Sequence, residues 1–314
     1  MNRFLKQLSI VGVGNIGFRY YEAILDIDIV DKINLVEQNI EALRDRIKVH
    51  NYLNKQINLY KNISEELLNS DLIIVSTNSG ERFEVCKRLI DLGYQGDFIL
   101  EKVLFPNIET LLKSKRLFSN FKSKIFVNQW MRKTSLKEIL KVKLPFEISI
   151  SSDNLGLLCN TVHYLDLFSE IIDLDELILD LDNSHIDDLL ESKRKGYTEL
   201  RGKLVWKDFS GSKVFALEDK ANANDNRDIE FLVKDKINSK KFIYSGTQLN
   251  LVNTSMNYEI PYLSSHAKDS IIKILKKKDP TIPNFKISYK QHKLLFNSLS
   301  KLLNKNQYQK IKIT

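Results

Sequence analysis

An apolar run, Leu8 to Val11, leads directly into Gly12-Val13-Gly14-Asn15-Ile16-Gly17, and a helical pattern, Ile16 to Leu25, begins inside that sequence. Glycine at the first position permits a tight turn, at the second it lets a backbone approach a pyrophosphate, and at the third it lets the helix pack close to the strand. The free amides at the start of the helix then face anionic charge. Twenty residues beyond Gly17, after a second strand candidate at Ile33 to Val36, stands Glu37. A carboxylate there accepts from the ribose hydroxyls of a bound dinucleotide and repels a 2′-phosphate, so the pattern favours NAD over NADP. Gly12, Gly14, Asn15, Ile16, Gly17 and Glu37 are therefore the first candidate cofactor residues.

The same grammar continues as far as Val127. Strand candidates at Leu72 to Ser76, Phe98 to Leu100 and Ile125 to Val127 alternate with helical stretches at Ile40 to His50, Glu81 to Leu92 and Ile108 to Ser119, and Gly93 stands where a helix C-terminal glycine is expected. Alternation of this kind requires parallel strands joined by helical crossovers. Residues 1–127 read as a doubly wound α/β, Rossmann-type, dinucleotide-binding domain.

After Asn128 the pattern changes. One helical segment, Leu157 to Ile172, precedes successive strands at Lys203 to Trp206, Lys213 to Leu217, Ile229 to Val233, Phe242 to Tyr244 and Leu249 to Val252. Strands in succession joined by short polar turns predict a largely antiparallel sheet, so residues 128–314 read as an α+β domain closed by C-terminal helices over 261–304. The acidic stretch Asp173 to Asp188 and the polar stretch Asp219 to Asp228 read as surface connections.

Composition narrows the class of protein. The 314 residues are 43% apolar, enough for proper cores in two domains, and the two cysteines, Cys86 and Cys159, can form neither a disulfide framework nor a four-cysteine metal site. No metal is expected. The apolar run near the N-terminus is too short for a signal core or a membrane span, so a cytoplasmic protein without a membrane partner is expected. The net charge of +8 is a local matter: the stretch from Lys268 onward carries +10 and the remainder −2. Those lysines alternate with Ile271, Ile272, Leu275, Leu294, Leu295, Leu299 and Leu302 at helical spacing, which is the pattern of amphipathic helices and not of a nucleic-acid module.

Two further places carry chemistry. Glu101-Lys102-Val103 follows the strand Phe98 to Leu100, and residues at the carboxyl ends of parallel strands point into the ligand crevice. A lysine there can hold a substrate hydroxyl and favour its ionised form. In Cys159-Asn160-Thr161-Val162-His163-Tyr164-Leu165-Asp166, His163 and Asp166 are three apart on a helix, and imidazole is the side chain best matched to moving a proton near pH 7.

Taken in order, the glycine fingerprint, the acidic residue after the second strand, Glu-Lys after the fifth and a histidine on the helix of an antiparallel domain resemble the Gfo/Idh/MocA oxidoreductases, relatives of glucose-fructose oxidoreductase and inositol dehydrogenase. The resemblance implies that Lys102 and His163 are catalytic and that Ser76, Thr77, Asn78 and Glu101 join the cofactor site. It also implies that Lys102, Asn128, Arg132, Asn160 and Asp166 line the substrate site. The implied activity is NAD(P)-dependent transfer of a hydride between nicotinamide and a carbinol carbon of a sugar derivative. The substrate is expected to be anionic, as a nucleotide-linked sugar is, and the likeness extends to members that serve surface-glycan biosynthesis. A homo-oligomer is expected. Val103 stands where the family has proline, and Cys159 where many members place an aspartate four residues before the histidine. These departures leave open a non-catalytic NAD-binding sensor or assembly subunit, and the resemblance itself leaves open an enzyme that recycles its NAD in a net hydrolysis or epimerisation.

Overall fold

The computed structural model describes residues 5–48, 55–220, 228–260 and 263–314. The sequence expectations for the first four residues, for His50, for Pro261 and Tyr262 and for most of the Asp219 to Asp228 connection lie outside the described residues. The chain divides into two compact units: Met1–Phe105 with Glu109–Asn128 and Leu263–Lys286 form the first, and Pro106–Ile108 with Gln129–Tyr262 and Ile287–Thr314 form the second.

The first unit alternates strand and helix as β1 (Lys6–Val11), α1 (Asn15–Leu25), β2 (Val30–Val36), α2 (Ile40–Lys48), β3 (Gln56–Tyr60), β4 (Leu72–Val75), α3 (Ser79–Asp91), β5 (Asp97–Leu100), α4 (Ile108–Ser119) and β6 (Ile125–Val127). The six strands form one parallel sheet in the order β3-β2-β1-β4-β5-β6. This is the doubly wound dinucleotide-binding arrangement, whose order reverses between β1 and β4. Every residue of β4 and β5 is buried, as their unbroken apolar runs predict for central parallel strands. The edge strand β3, Gln-Ile-Asn-Leu-Tyr, has no fully buried residue, and the sequence reading did not find it.

The second unit opens with β7 (Phe146–Ser152) and α5 (Leu157–Phe168). There follow β8 (Ile178–Leu179), β9 (His185–Glu191), β10 (Thr198–Lys207), β11 (Lys213–Asp219), β12 (Ile229–Asp235), β13 (Ser239–Ser245), β14 (Gln248–Leu251) and β15 (Asn257–Glu259). These strands make a nine-stranded sheet in the order β15-β14-β13-β12-β7-β11-β10-β8, with β9 also paired to β10. All pairs are antiparallel except β7 with β11. The stretch Asp173 to Asp188, expected as a surface connection, contains β8 and the start of β9. Their one-sided polarity hid them: β9 is exposed or half-buried throughout.

Three helices follow, α6 (Leu263–Leu275), α7 (Phe285–Leu302) and α8 (Lys305–Lys310). The lysine-rich tail is amphipathic as expected, with Ile271, Ile274, Leu295 and Leu299 buried. Its first helix departs from the expected division at residue 128. Ala267, Ile271, Ile274 and Leu275 of α6 join Tyr20, Ile24 and Ile10 in the core of the first unit. In the second unit Trp206 of β10, wholly buried, donates its indole N–H to Ser298 of α7 at 2.9 Å. No described helix is long and apolar enough to cross a membrane.

Candidate active site

The first unit holds a pocket of about 640 Å³, and of the ten residues expected to meet a cofactor six line it: Gly12, Gly14, Glu37, Ser76, Thr77 and Asn78. All lie at the carboxyl ends of β1, β2 and β4, beside the reversal in strand order. Gly12 has φ +86, and a Cβ there would sit 2.8 Å from the Thr77 nitrogen. The Gly12 carbonyl accepts from the Ser76 hydroxyl at 2.7 Å, which ties the end of β4 to the glycine turn. Helix α1 begins after Gly14 with no side-chain cap, so its first amides remain available to an anion. The acidic residue lines the same pocket: Glu37 accepts from the Val13 N–H at 2.9 Å and from the Asn39 N–H at 3.3 Å. Each carboxylate oxygen retains a lone pair for a ribose hydroxyl.

The glycines divide their work. A Cβ on Gly14 would meet nothing within 4 Å, whereas one on Gly17 would lie 2.1 Å from the Gly12 carbonyl oxygen and 2.7 Å from Ser76 Oγ. Gly14→Val is accordingly expected to fold with little loss of melting temperature and to lose NAD binding, because its side chain occupies ligand space. Gly17→Ala should instead lower the melting temperature, since the strand-to-helix turn itself must open. Thermal melts and calorimetric NAD titrations of the two variants check the contrast.

Glu101 leaves the end of β5 and is buried. One oxygen, Oε1, accepts from the Tyr20 hydroxyl of α1 and from Asn128 Nδ2 beyond β6, each at 2.7 Å. Burial, then the neighbouring Glu101 carboxylate, holds the Tyr20 hydroxyl well above its usual range, so it remains a donor. Asn128, expected to line the substrate site, thus grips the residue before Lys102. Arg82 of α3, also buried, donates to the carbonyls of Thr77 and Val103 and, at 3.0 Å, to that of Leu104. The loop that carries Lys102 is therefore fastened to α1, β6 and α3. The Lys102–Val103 peptide is cis.

In the second unit His163 lies on α5, 5% exposed, with the Trp130 ring centroid 6.0 Å from its own. The start of α5 is served by carboxylates from two strands. Gly156 N–H donates to Asp219 of β11 at 2.8 Å, and the Leu158 and Cys159 amides donate to Glu199 of β10. Burial raises the Glu199 carboxyl and these hydrogen bonds oppose the rise. Cys159 Sγ donates to the Gly156 carbonyl at 3.6 Å, and Asn160 Nδ2 to the Leu155 carbonyl at 2.7 Å.

Asp166, wholly buried, takes a bidentate pair from Arg132 (Nε to Oδ2 2.8 Å, Nη2 to Oδ1 2.6 Å) and a third donor from Gln291 of α7 at 2.8 Å. Arg132 also donates to Ser169 and pairs with Glu170, both at 2.8 Å. Burial pushes the Asp166 carboxyl up to about 6, against the pull of the guanidinium. The arginine and aspartate expected at a substrate site thus face one another. Fork-to-fork geometry of this kind leaves the guanidinium few donors for a ligand.

Tyr20, Arg82, Glu199, Asp219 and Gln291 escaped the sequence reading. Tyr20 alone left a signal, being a polar aromatic three residues after Gly17 inside an amphipathic helix.

No protein-family model matches the chain, and no curated protein matches it in sequence. Solved structures do. The WlbA dehydrogenase from Chromobacterium violaceum, solved with NADH and UDP-GlcNAcA, superposes with a TM-score of 0.70 at 13% identity, covering 100% of this chain and 96% of that one. The WlbA dehydrogenase from Bordetella pertussis, with the same two ligands, gives 0.69 at 13% identity over 93% and 94%. UDP-N-acetylglucosamine 3-dehydrogenase GnnA from Acidithiobacillus ferrooxidans gives 0.62 at 12% identity over 95% and 98%. The chain shares the fold of these dehydrogenases over 93–100% of its length.

Proposed function

We propose that the protein is an NAD-dependent oxidoreductase of the Gfo/Idh/MocA type, acting on a carbinol carbon of a nucleotide-linked sugar. The observation that carries this reading is the pocket at the reversal of strand order. There a glycine cradle, an uncapped helix start and a carboxylate at the end of β2 come together. Support for the substrate class comes from the shared fold, because the two WlbA structures hold NADH with UDP-GlcNAcA and the GnnA enzyme is a UDP-N-acetylglucosamine dehydrogenase.

The residues present fit NAD. The Gly14, Asn15 and Ile16 amides would face its pyrophosphate, and Glu37 its adenosine ribose. When bound, NAD supplies the hydride acceptor. Lys102 would hold the hydroxyl oxygen of the carbinol and stabilise the negative charge that develops on it, and His163 would take its proton. Tyr20, Asn128 and Arg82 would keep the Lys102 loop in place. A role in polysaccharide biosynthesis in the cytoplasm accords with a nucleotide sugar as substrate.

The test is direct. Purified protein is incubated with NAD or NADP and with UDP-N-acetylglucosamine or its 6-carboxylate, and reduced cofactor is followed by absorbance while the sugar product is identified by mass spectrometry. Reduction of NAD in preference to NADP with either sugar is the expected outcome. Tighter binding of NADP than NAD would overturn the role given to Glu37, and product formed without net cofactor reduction would move the reading to internal recycling of NAD.

A further inference from the structure

Val13 is the middle residue of the glycine turn, and both polar groups of its backbone end on charged side chains from different elements. Its N–H donates to Glu37 Oε2 at 2.9 Å, and its carbonyl accepts from Arg46 Nη1 of α2 at 3.3 Å. The Arg46 guanidinium carbon also lies 3.9 Å from the centroid of the Phe18 ring on α1. Val13 is 2% exposed, so water is no substitute partner for either group. The preceding residue is held by neutral partners: the Gly12 N–H donates to the Val36 carbonyl at 2.9 Å, and its own carbonyl accepts from Ser76. Two consecutive residues thus have both backbone polar groups held, and the Val13–Gly14 peptide is fixed at its carbonyl while its N–H stays open. The next amides along the chain, those of Gly14, Asn15 and Ile16, open α1 without a side-chain cap.

We propose that Arg46 is a positioning residue for pyrophosphate recognition. By holding the Val13 carbonyl while stacked on Phe18, it sets the Val13–Gly14 peptide plane, which carries the first of the three amides that face the phosphates. Hydrogen bonds weaken steeply as donor angles depart from linear, so a tilt of that plane costs affinity although Arg46 itself need touch no ligand. Stacking on an aromatic face and a directed N–H fork are properties of arginine that lysine lacks, and a purely electrostatic role would be filled equally well by either. The inference rests on the dinucleotide reading above and extends it to a residue on α2 that the glycine fingerprint does not include.

The experiment compares wild type, Arg46→Met and Arg46→Lys by calorimetric titration with NAD, ADP-ribose and adenosine, the last having no phosphate. Arg46→Met is expected to weaken NAD and ADP-ribose about tenfold, the loss of one well-placed hydrogen bond and its alignment, with adenosine unchanged within about twofold. Arg46→Lys should fall between Arg46→Met and wild type. Equal losses for adenosine and NAD would show a general disturbance of the fold and overturn the proposal, as would an unchanged NAD affinity in Arg46→Met. Parental affinity in Arg46→Lys would assign the effect to charge and also overturn it. Should Arg46→Met fail to fold, the Arg46→Lys comparison across the three ligands decides alone. Wild type that binds none of the three would remove the dinucleotide reading and this inference together, whereas wild-type binding with unaffected variants removes only the role of Arg46.

Discussion

Lys102→Met and His163→Ala are each expected to lower the turnover number with a nucleotide sugar about 100-fold or more, while the Kd for NAD stays within about threefold of wild type. The reason is a separation of duties. The groups that fit NAD are backbone amides of the glycine turn and the Glu37 carboxylate, and neither substitution removes any of them. Methionine retains most of the lysine stem but supplies no cation for an oxygen that gains negative charge, and alanine supplies no base for its proton. Steady-state rates combined with NAD titration distinguish this from damage to the cofactor site. If both variants fold and turn over at the parental rate, Lys102 and His163 leave the mechanism and the proton must be handled elsewhere.

Arg132→Ala should destabilise the second unit by about 3–5 kcal/mol, the usual cost of removing one partner from a buried ion pair. Asp166 has no exposure, so without Arg132 its carboxylate keeps, among the described residues, the Gln291 donor and is pushed toward protonation. Asp166→Ala strands the cation instead, but Arg132 retains Glu170 and Ser169, and the loss should be smaller. Asp166→Asn, which keeps an acceptor and removes the charge, should be milder still. Urea unfolding of the three variants orders them. An Arg132→Ala protein as stable as wild type, yet with a raised KM for substrate, would return Arg132 to the substrate site.

Much of this fold could be read in advance because its signals are local. The run Leu8 to Val11, the three glycines and the position of Glu37 specify a strand, a turn and a helix within one stretch of chain, and the structure repeats them. β3 was missed because an edge strand pairs with a single neighbour and carries polar residues such as Gln56 and Asn58 on a half-exposed ribbon, so no apolar run marks it. The cofactor pocket was legible to the extent that six of its lining residues, Glu37 among them, could be named from the sequence. Which residues serve one another was not legible. The grip of Tyr20 and Asn128 on Glu101 spans 81 and 27 positions, and that of Arg132 on Asp166 spans 34. Such pairings arise from where helices come to rest, and neither spacing nor residue type along the chain encodes them.

Helix α6 has a consequence for how the protein is made. Its apolar face completes a core begun by α1, yet 247 positions of chain separate Ile24 from Ile271. A ribosome adding about 5–20 residues per second needs on the order of ten seconds to travel from the end of β6 to α6. Throughout that interval the nascent glycine-turn half exposes the face of α1 that α6 will later cover. The order of synthesis and the order of burial therefore differ, and the amino-terminal half cannot close its core until the carboxyl-terminal lysine-rich stretch has emerged.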